Sequence, residues 1–351
     1  MTRNGTAPGL NIECTPALLD YLRQRGAIGQ NETPLVRSLE GGVSNRVVLV
    51  RRASGDGFVL KQALEKLRVE VEWYCTPERI RREALALRYL ADLTPPRSIP
   101  ALLFEDPAQD LLAMAEVPDP KRNWKQMLLS GDVVRDHIEQ FGKLLGTIHC
   151  RSAENRKALV ELFGDRSIFD ALRLEPYYRY TAARVPKAAA FLDHLVADTL
   201  ACQLSLVHGD YSPKNILVHE GRLVLLDCEV VHFGDPAFDI GFSLSHLLSK
   251  ANHMPLYRDT LIESAVHYWG SYAAAGFERD WITEMEPRAV RHTIACCLAR
   301  VMGRSPLEYL TRDESELQTS ATLTLLKRPP QRICDLISEF AERLSCRSSK
   351  A

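Results

Sequence analysis

The chain has 351 residues, 44 Lys+Arg against 45 Asp+Glu, a formal net charge of -1 and 46% apolar residues. That balance gives no general attraction to nucleic acid or an anionic membrane, no apolar run approaches the ~18 residues of a membrane span, and the first residues lack the apolar stretch of an export signal. Nine cysteines without a CxxC spacing read as free, reduced thiols of a cytoplasmic protein, and the oligomeric state is left open.

Thr15 is placed to cap a short helix, with Pro16 at its first position and Gly26 just past its end. From residue 35 two β-prone runs, LVRSLE and RVVLVRR, flank a Gly-rich turn, GGVSN; a third run, FVLKQAL, follows GDG. The stretch TPERIRREALALRYLADL predicts a helix capped by Thr76, with Pro77 next and Ile80, Ala84, Leu87 and Ala91 on one face. A hairpin over PALLFEDPAQDLLAMAEVP ends at Pro118. Beyond it the texture is helical, and DVVRDHIEQFGKLLGTIHC aligns Ile138, Phe141, Leu145 and Ile148. LVHGDYSPKN then leads into a second hairpin, NILV-HEGR-LVLLD, and from residue 236 onward the pattern is of helices interrupted by Pro and Gly. The plan is α+β and bilobal. A small β-sheet lobe with one helix is expected over residues 1–118, with 1–30 as a helical extension, and a larger, mostly helical lobe over 119–351.

The loop between the last two strand pairs is too polar for a simple turn. It holds His208, Asp210, Ser212, Lys214 and Asn215 between apolar runs, although Gly209 and Pro213 suffice to bend the chain. Asn215 and Asp227 lie about equally far from the turn at Glu220-Gly221, so antiparallel pairing brings them to one end of the hairpin. Asp210 can reach the same end. Such oxygen donors suit a hard cation such as Mg²⁺. Glu229, two residues after Asp227, points to the same side if the strand continues. The other parts fit phosphoryl transfer: Lys61 in the third strand as a cation for phosphates, Glu83 on the helix to hold it, and the Gly41-Gly42 turn to lay backbone N–H groups over them.

The order of Gly-rich turn, Lys61, Glu83, HGDYSPKN and LLDCE resembles that of kinase-like folds. The form HGD....N, followed by GDPAFDIG, is similar to the aminoglycoside phosphotransferase and choline kinase superfamily over residues 35–310. Within it, FVLKQALEKLRVEVEW and the Asp-x-Glu of LLDCEVV resemble the methylthioribose kinase branch. The resemblance implies an ATP- and magnesium-dependent small-molecule phosphotransferase with Asp210 as catalytic base. It implies Asn215, Asp227 and Glu229 as magnesium ligands, and Lys61, paired to Glu83, on the nucleotide phosphates. Glu116-Val117 is expected to bond adenine through the backbone, with Val117 as donor because Pro118 has no N–H. The chain departs from the methylthioribose branch in having Asn215, and in offering Arg300 alone, with Arg304 a turn later, where that branch carries paired arginines.

The segments expected to border the acceptor, EPYYRYTAARVPK and CLARVMGRSPLEYLTRDESE, are mixed in sign and unlike a trap for a polycation. Tyr177, Tyr178 and Tyr180 suit a neutral hydroxylated ring, so the expected acceptor is a hydroxyl of a sugar-like or amino-alcohol molecule. An aminoglycoside acceptor is one alternative. A non-catalytic nucleotide-binding scaffold is another, although a scaffold has no need of Asp210. His208, Asp235 and Asp239 read as loop and helix supports, and Arg300 and Arg304 as helix-end cations.

Overall fold

The structure, a computed structural model, describes residues 10–39, 42–69, 72–276 and 279–345. Gly41, expected in the phosphate turn, lies outside them. Helix α1 (Thr15–Gln24) starts one residue earlier than the sequence suggests, with Cys14 as its cap position and Pro16 in its first turn. It ends as expected before Gly26, whose φ of +71° suits a residue without a side chain.

Strands β1 (Leu35–Ser38), β2 (Asn45–Arg51) and β3 (Gly57–Ala63) are followed by helix α2 (Arg79–Leu93) and by β4 (Leu102–Asp106) and β5 (Leu111–Ala115). They form an antiparallel sheet in the order β1-β2-β3-β5-β4. Alternation sorts its two faces. Phe58 and Leu60 pack with Leu18 and Leu22 of α1, whereas Ala63 and, across the sheet, Leu112 and Met114 join the core shared with α2. Lys61 has the same parity as Ala63 and so faces α2. Helix α2 buries Ile80, Ala84 and Leu87 as expected, but Leu90 completes the stripe while Ala91 is exposed. Burying each of these Leu and Ile side chains contributes about 1.5–3 kcal/mol. The helix begins at Arg79, later than Thr76 and Pro77 suggest. Those residues form a turn ahead of it, in which the Thr76 hydroxyl accepts from the Glu78 N–H at 3.3 Å.

The second lobe opens with β6 (Lys121–Asn123) and α3 (Trp124–Leu129), then α4 (Arg135–Glu154) and α5 (Arg156–Phe163). Ile138, Phe141, Leu145 and Ile148 are buried along α4. Gly142 lets α4 press on a later helix, because a Cβ there would sit 2.5 Å from the Tyr268 carbonyl. A continuous helical segment follows: α6 (Ser167–Phe169), a π-helical stretch (Asp170–Arg179) and α7 (Tyr180–Arg184). Next come α8 (Pro186–Ala201), β7 (Ser205–Val207), β8 (Ile216–His219), β9 (Arg222–Leu225) and β10 (His232–Gly234). Helices α9 (Ala237–His253), α10 (Arg258–Ala273), α11 (Arg279–Met302), α12 (Arg312–Lys327) and α13 (Ile333–Ser345) complete the described chain. The hairpin β8–β9 turns at Glu220 and Gly221, both at positive φ, and carries β6 on its other edge. The fold is bilobal and kinase-like. Among the described residues no helix is long and apolar enough to cross a membrane, and the eight described cysteines are free.

Candidate active site

The polar loop lies between β7 and β8, where both lobes meet. Its conformation is imposed from below by Asp239, on the first turn of α9. The fully buried Asp239 carboxylate accepts from the backbone N–H groups of His208 at 2.6 Å and Gly209 at 2.8 Å. His149 lies 3.3 Å from the same group. Burial pushes the Asp239 carboxyl up, but its hydrogen bonds with His149 and the loop outweigh this and hold it below its ordinary value. Gly209 has a φ of +78°, and a Cβ there would lie 2.6 Å from Val230. His208 is a loop support. Its Nδ1 accepts from the Asp210 N–H at 3.2 Å, which leaves Nε2–H to donate to the Leu226 carbonyl at 3.2 Å. Tyr211 pins the other side through its hydroxyl to the Phe141 carbonyl, 2.8 Å.

Held this way, Asp210 presents a mostly buried carboxylate. Its backbone carbonyl accepts from Asn215 Nδ2 at 3.0 Å, so the Asn215 amide is oriented with Oδ1 as its remaining acceptor. The hairpin brings Asp227 to the same end, as the equal spacing suggests, because the Leu226 N–H donates to the Asn215 carbonyl at 2.8 Å. β9 stops at Leu225, and Asp227 takes a left-handed φ of +65°, a strained conformation for a residue with a side chain.

From the sheet side, Lys61 Nζ lies 2.6 Å from both Glu83 Oε1 and Asp227 Oδ1. Burial would strip the Lys61 proton, but Asp227, Glu83 and Glu229 outweigh it and hold the ammonium charged. Burial also acts to raise Asp227, yet Lys61 and then Lys214 keep its carboxyl well below the ordinary value. Glu83 has no exposed surface, and burial pushes it up to about 7 against the pull of Lys61. The chain thus places Lys61 and Glu83 together as the sequence suggests.

Glu229 arrives by a different route than expected. The strand does not continue past Leu225, and a turn carries Glu229 back so that its carboxylate lies within 4.8 Å of Glu83 and Asp227. Its Oε2 is occupied by Asn45 Nδ2 at 2.9 Å and Arg79 Nε at 3.2 Å. Arg79 is fully buried and also donates to the carbonyls of Ser44 and of Leu64, the latter at 2.7 Å. One guanidinium therefore joins the Gly-rich turn beyond Gly42, the end of β3, the start of α2 and the Asp-x-Glu segment.

The inter-lobe strand passes through Glu116 and Val117. The Glu116 side chain lies over Gly57, where a Cβ would sit 2.0 Å from its Oε2. It pairs with Arg51 and, at 2.8 Å, with Lys121. The Glu116 N–H donates to the Gly57 carbonyl at 3.1 Å, and the Val117 carbonyl accepts from Lys121 Nζ at 2.7 Å. Among the described residues nothing accepts from the Val117 N–H, the atom expected to meet adenine.

Several expectations for the acceptor side change. Tyr178 is fully buried with its hydroxyl 2.7 Å from His292, so it belongs to the core and not to a binding surface. Tyr177 is buried beneath Arg300, which donates to its hydroxyl at 2.9 Å. Arg300 is thus more than a helix-end cation, whereas Arg304 pairs with Glu175 at 2.9 Å and stacks on Tyr180. Asp235 receives the Ala237 N–H at 3.0 Å at the head of α9 and pairs with Arg288 at 3.1 Å.

Sequence reasoning missed Arg173. It lies on the π-helical stretch, buried, with NH2 3.0 Å from Asp210 Oδ2 and Nε 2.5 Å from the Gly209 carbonyl. Its one signal is a lone cation between Leu172 and Leu174, both buried. Arg79 and Asn45 were missed too, since a helix-start arginine and a turn asparagine have ordinary surface roles. Concavities of about 110 Å³ beside α4 and α10 and about 440 Å³ beside α12 are lined by none of these residues.

Known proteins resemble the chain in sequence and in fold. A methylthioribose kinase of Pectobacterium carotovorum subsp. carotovorum (strain PC1) is 27% identical over 265 residues, a match covering 68% of this chain and 66% of that protein's length. An ethanolamine kinase of Plasmodium vivax superposes with a TM-score of 0.57 at 12% identity over 93% of each chain. An amicoumacin kinase in complex with AMP-PNP, Ca²⁺ and Ami gives 0.56 at 14% identity, over 91% of this chain and 96% of that one. At such identities the structural likeness is one of fold. The phosphotransferase enzyme family matches residues 36–279, from the first strand to the head of α11 and across every residue placed around Lys61, and the chain belongs to that family.

Proposed function

We propose that the chain transfers the γ-phosphoryl group of ATP, with magnesium, to a hydroxyl of a small sugar-like or amino-alcohol molecule in the cytoplasm. Residues 1–118 then form the nucleotide lobe, and 119–351 the catalytic and acceptor lobe. The observation that carries this reading is the clamp on Lys61, 2.6 Å from Glu83 and 2.6 Å from Asp227, opposite a loop that presents Asp210. The kinases named above give it support.

The residues present fit a magnesium ion. Asp227 and Asn215 Oδ1 are hard oxygen donors at one end of the hairpin, with Glu229 Oε1 beside them and Oε2 already taken. Bound there, magnesium would neutralise charge on the transferring phosphates. Lys61 orients the nucleotide phosphates, and the Val117 N–H with the Glu116 carbonyl seats adenine. Arg173 holds Asp210 Oδ2, which leaves Oδ1 toward the acceptor. The acceptor oxygen attacks the γ-phosphorus, the bond to the bridging β–γ oxygen breaks to release ADP, and the hydroxyl proton passes to Asp210.

Asp210→Asn tests the reading against the scaffold alternative. A positioned base is worth roughly 10²–10⁴-fold in rate, so ADP release with the best acceptor should fall by that factor. ATP affinity by calorimetry should stay within a few-fold. Wild-type turnover in the variant would remove Asp210 from the chemistry.

A further inference from the structure

A ring of cations runs away from Asp210 into the helical lobe. Arg173, paired to Asp210, lies 5.9 Å over the Tyr177 ring and 6.0 Å over Phe242. Arg300 covers Tyr177 at 5.6 Å, and His246, one turn beyond Phe242 on α9, contacts that ring at 5.1 Å. The next turn of α9 carries Lys250, 5.4 Å over the Tyr309 ring, with Lys125 of α3 at 5.8 Å from the same ring. Lys125 leads back to the catalytic loop, since α3 packs on residues 213–215.

This wall is rich in donors and poor in acceptors. Lys250 has no exposed surface, and among the described residues its ammonium meets one acceptor, the carbonyl of His246 at 3.4 Å. A fully buried lysine without a carboxylate partner is rare in a folded chain. Burial, with Lys125 and Arg300 adding to it, pushes Lys250 down to about 7. Among the described residues His246 Nε2, Arg300 Nε and the Tyr309 hydroxyl are buried without a partner. Five cationic side chains, Arg173, Lys214, Lys125, Lys250 and Arg300, line this region, and among the described residues the carboxylates that act on them are already paired: Asp210 with Arg173, Glu308 with Lys125, Asp227 with Lys61 and Glu229 with Arg79. Buried polar groups in native proteins are almost always satisfied, so donors left open together point to a ligand that satisfies them.

We infer that the acceptor carries an acidic group, a carboxylate or a phosphate, which Lys250, Arg300 and His246 bind while its hydroxyl faces Asp210. This rests on the phosphotransfer reading above and narrows it: a polycation or a choline-like ammonium meets repulsion here, and a neutral sugar leaves the ring unsatisfied.

The test is ADP release with matched acceptors: glucose and gluconate, glycerol and glycerate, ribose and ribose 5-phosphate, and glucosamine. An acid is expected to exceed its neutral parent at least tenfold in kcat/KM, with gluconate or glycerate against ribose 5-phosphate separating carboxylate from phosphate. Lys250→Met should cut that ratio at least tenfold, chiefly through KM, and should raise the Tm of the free protein because an uncompensated buried charge is gone. Arg300→Gln, on another helix, should lower the same ratio if the first variant folds poorly. A neutral or amino member preferred over its acid partner overturns the inference, and so does a lower Tm for Lys250→Met, which marks the lysine as structural. If no member is phosphorylated, the thermal shift given by gluconate and ribose 5-phosphate decides: a stabilisation lost in Lys250→Met supports the acid pocket, and none refutes it. Loss of magnesium-dependent ATP binding, read by calorimetry without any acceptor, sinks the phosphotransfer reading separately.

Discussion

Replacing Lys61 by Met tests the clamp most directly, because the fate of Glu83 gives the result a sign. Lys61 bonds Glu83 Oε1 at 2.6 Å, while Glu83 Oε2 is buried without a partner among the described residues. Removing the ammonium therefore leaves a fully buried carboxylate with no donor, within 4.8 Å of the Asp227 and Glu229 carboxylates. Breaking one side of a buried pair costs about 3–5 kcal/mol. Glu83→Gln alone keeps an acceptor for Lys61 and should cost about 1–3 kcal/mol, the value of a charge-assisted hydrogen bond. The double variant should be more stable than Lys61→Met alone, because glutamine removes the stranded charge; simple addition would make it about 4–8 kcal/mol worse than wild type. The pH dependence has a definite direction. Burial already raises Glu83 to about 7, and without Lys61 it rises further. A carboxyl with a raised folded pKa favours the folded state at low pH and loses that contribution as pH rises through the folded value. The deficit of Lys61→Met should thus shrink between pH 8 and pH 5, and the advantage of the double variant with it. Urea unfolding followed by circular dichroism at the two pH values measures all of this. Additive single and double variants, independent of pH, would refute the buried ion-pair account.

Asp239→Asn should lower stability by about 3 kcal/mol, since a charged acceptor of two backbone N–H groups is replaced by an amide. It should reduce kcat more than ATP affinity, and kinetics indistinguishable from wild type would mean the loop holds its shape without it. His292 is fully buried and pushed down to about 3 by burial, with Arg291 and Arg288 adding to it despite Asp235 at 4.0 Å. The unfolded chain takes that proton first, so stability should be lost as pH falls from 6.5 toward 3, by about 1.4 kcal/mol per pH unit from this group. His292→Gln should flatten that slope in acid-unfolding curves, and an unchanged slope would assign the loss to other groups, such as His232, which burial pushes down to about 4.

The parts of the site legible in the sequence were those fixed by local periodicity. Lys61 faces α2 because strand parity dictates it, and Asn215 and Asp227 come to one end of the hairpin because a two-residue turn makes it symmetric about Glu220-Gly221. The errors arose where the chain leaves regular structure. Glu229 was extrapolated along a strand that ends at Leu225, and only tertiary contact with Asn45 and Arg79 fixes where its carboxylate lies. Tyr177 and Tyr178 looked like a recognition surface because neighbouring tyrosines are common in one. Which face of their helix turns inward depends on α9 and α11, more than 50 residues away in sequence, and no local pattern reports that. Arg173 was hidden for the same reason: its meaning comes from Asp210, 37 residues later, through the packing of the π-helical stretch.

The buried cations separate structural from ligand-facing groups by how their charge is met. Arg79 is fully buried, yet Glu229 and the carbonyls of Cys75, Thr76, Ser44 and Leu64 surround it. Its desolvation cost is offset within the chain, as a structural brace between the Gly-rich turn and the Asp-x-Glu segment requires. Lys61 is met on two sides by carboxylates and remains near the partly exposed Asp227, so it is held in place for a charged ligand while already compensated. Lys250 has neither arrangement, with no carboxylate within ion-pair distance among the described residues and its cost left open. A chain that can satisfy five donors of one guanidinium in its interior is able to pair a lysine as well. That, among the described residues, it leaves Lys250 with one long bond to a carbonyl, and His246 Nε2 and Arg300 Nε without a partner, along one wall leading from Asp210, makes these groups the place where the inferred acceptor supplies the missing charge.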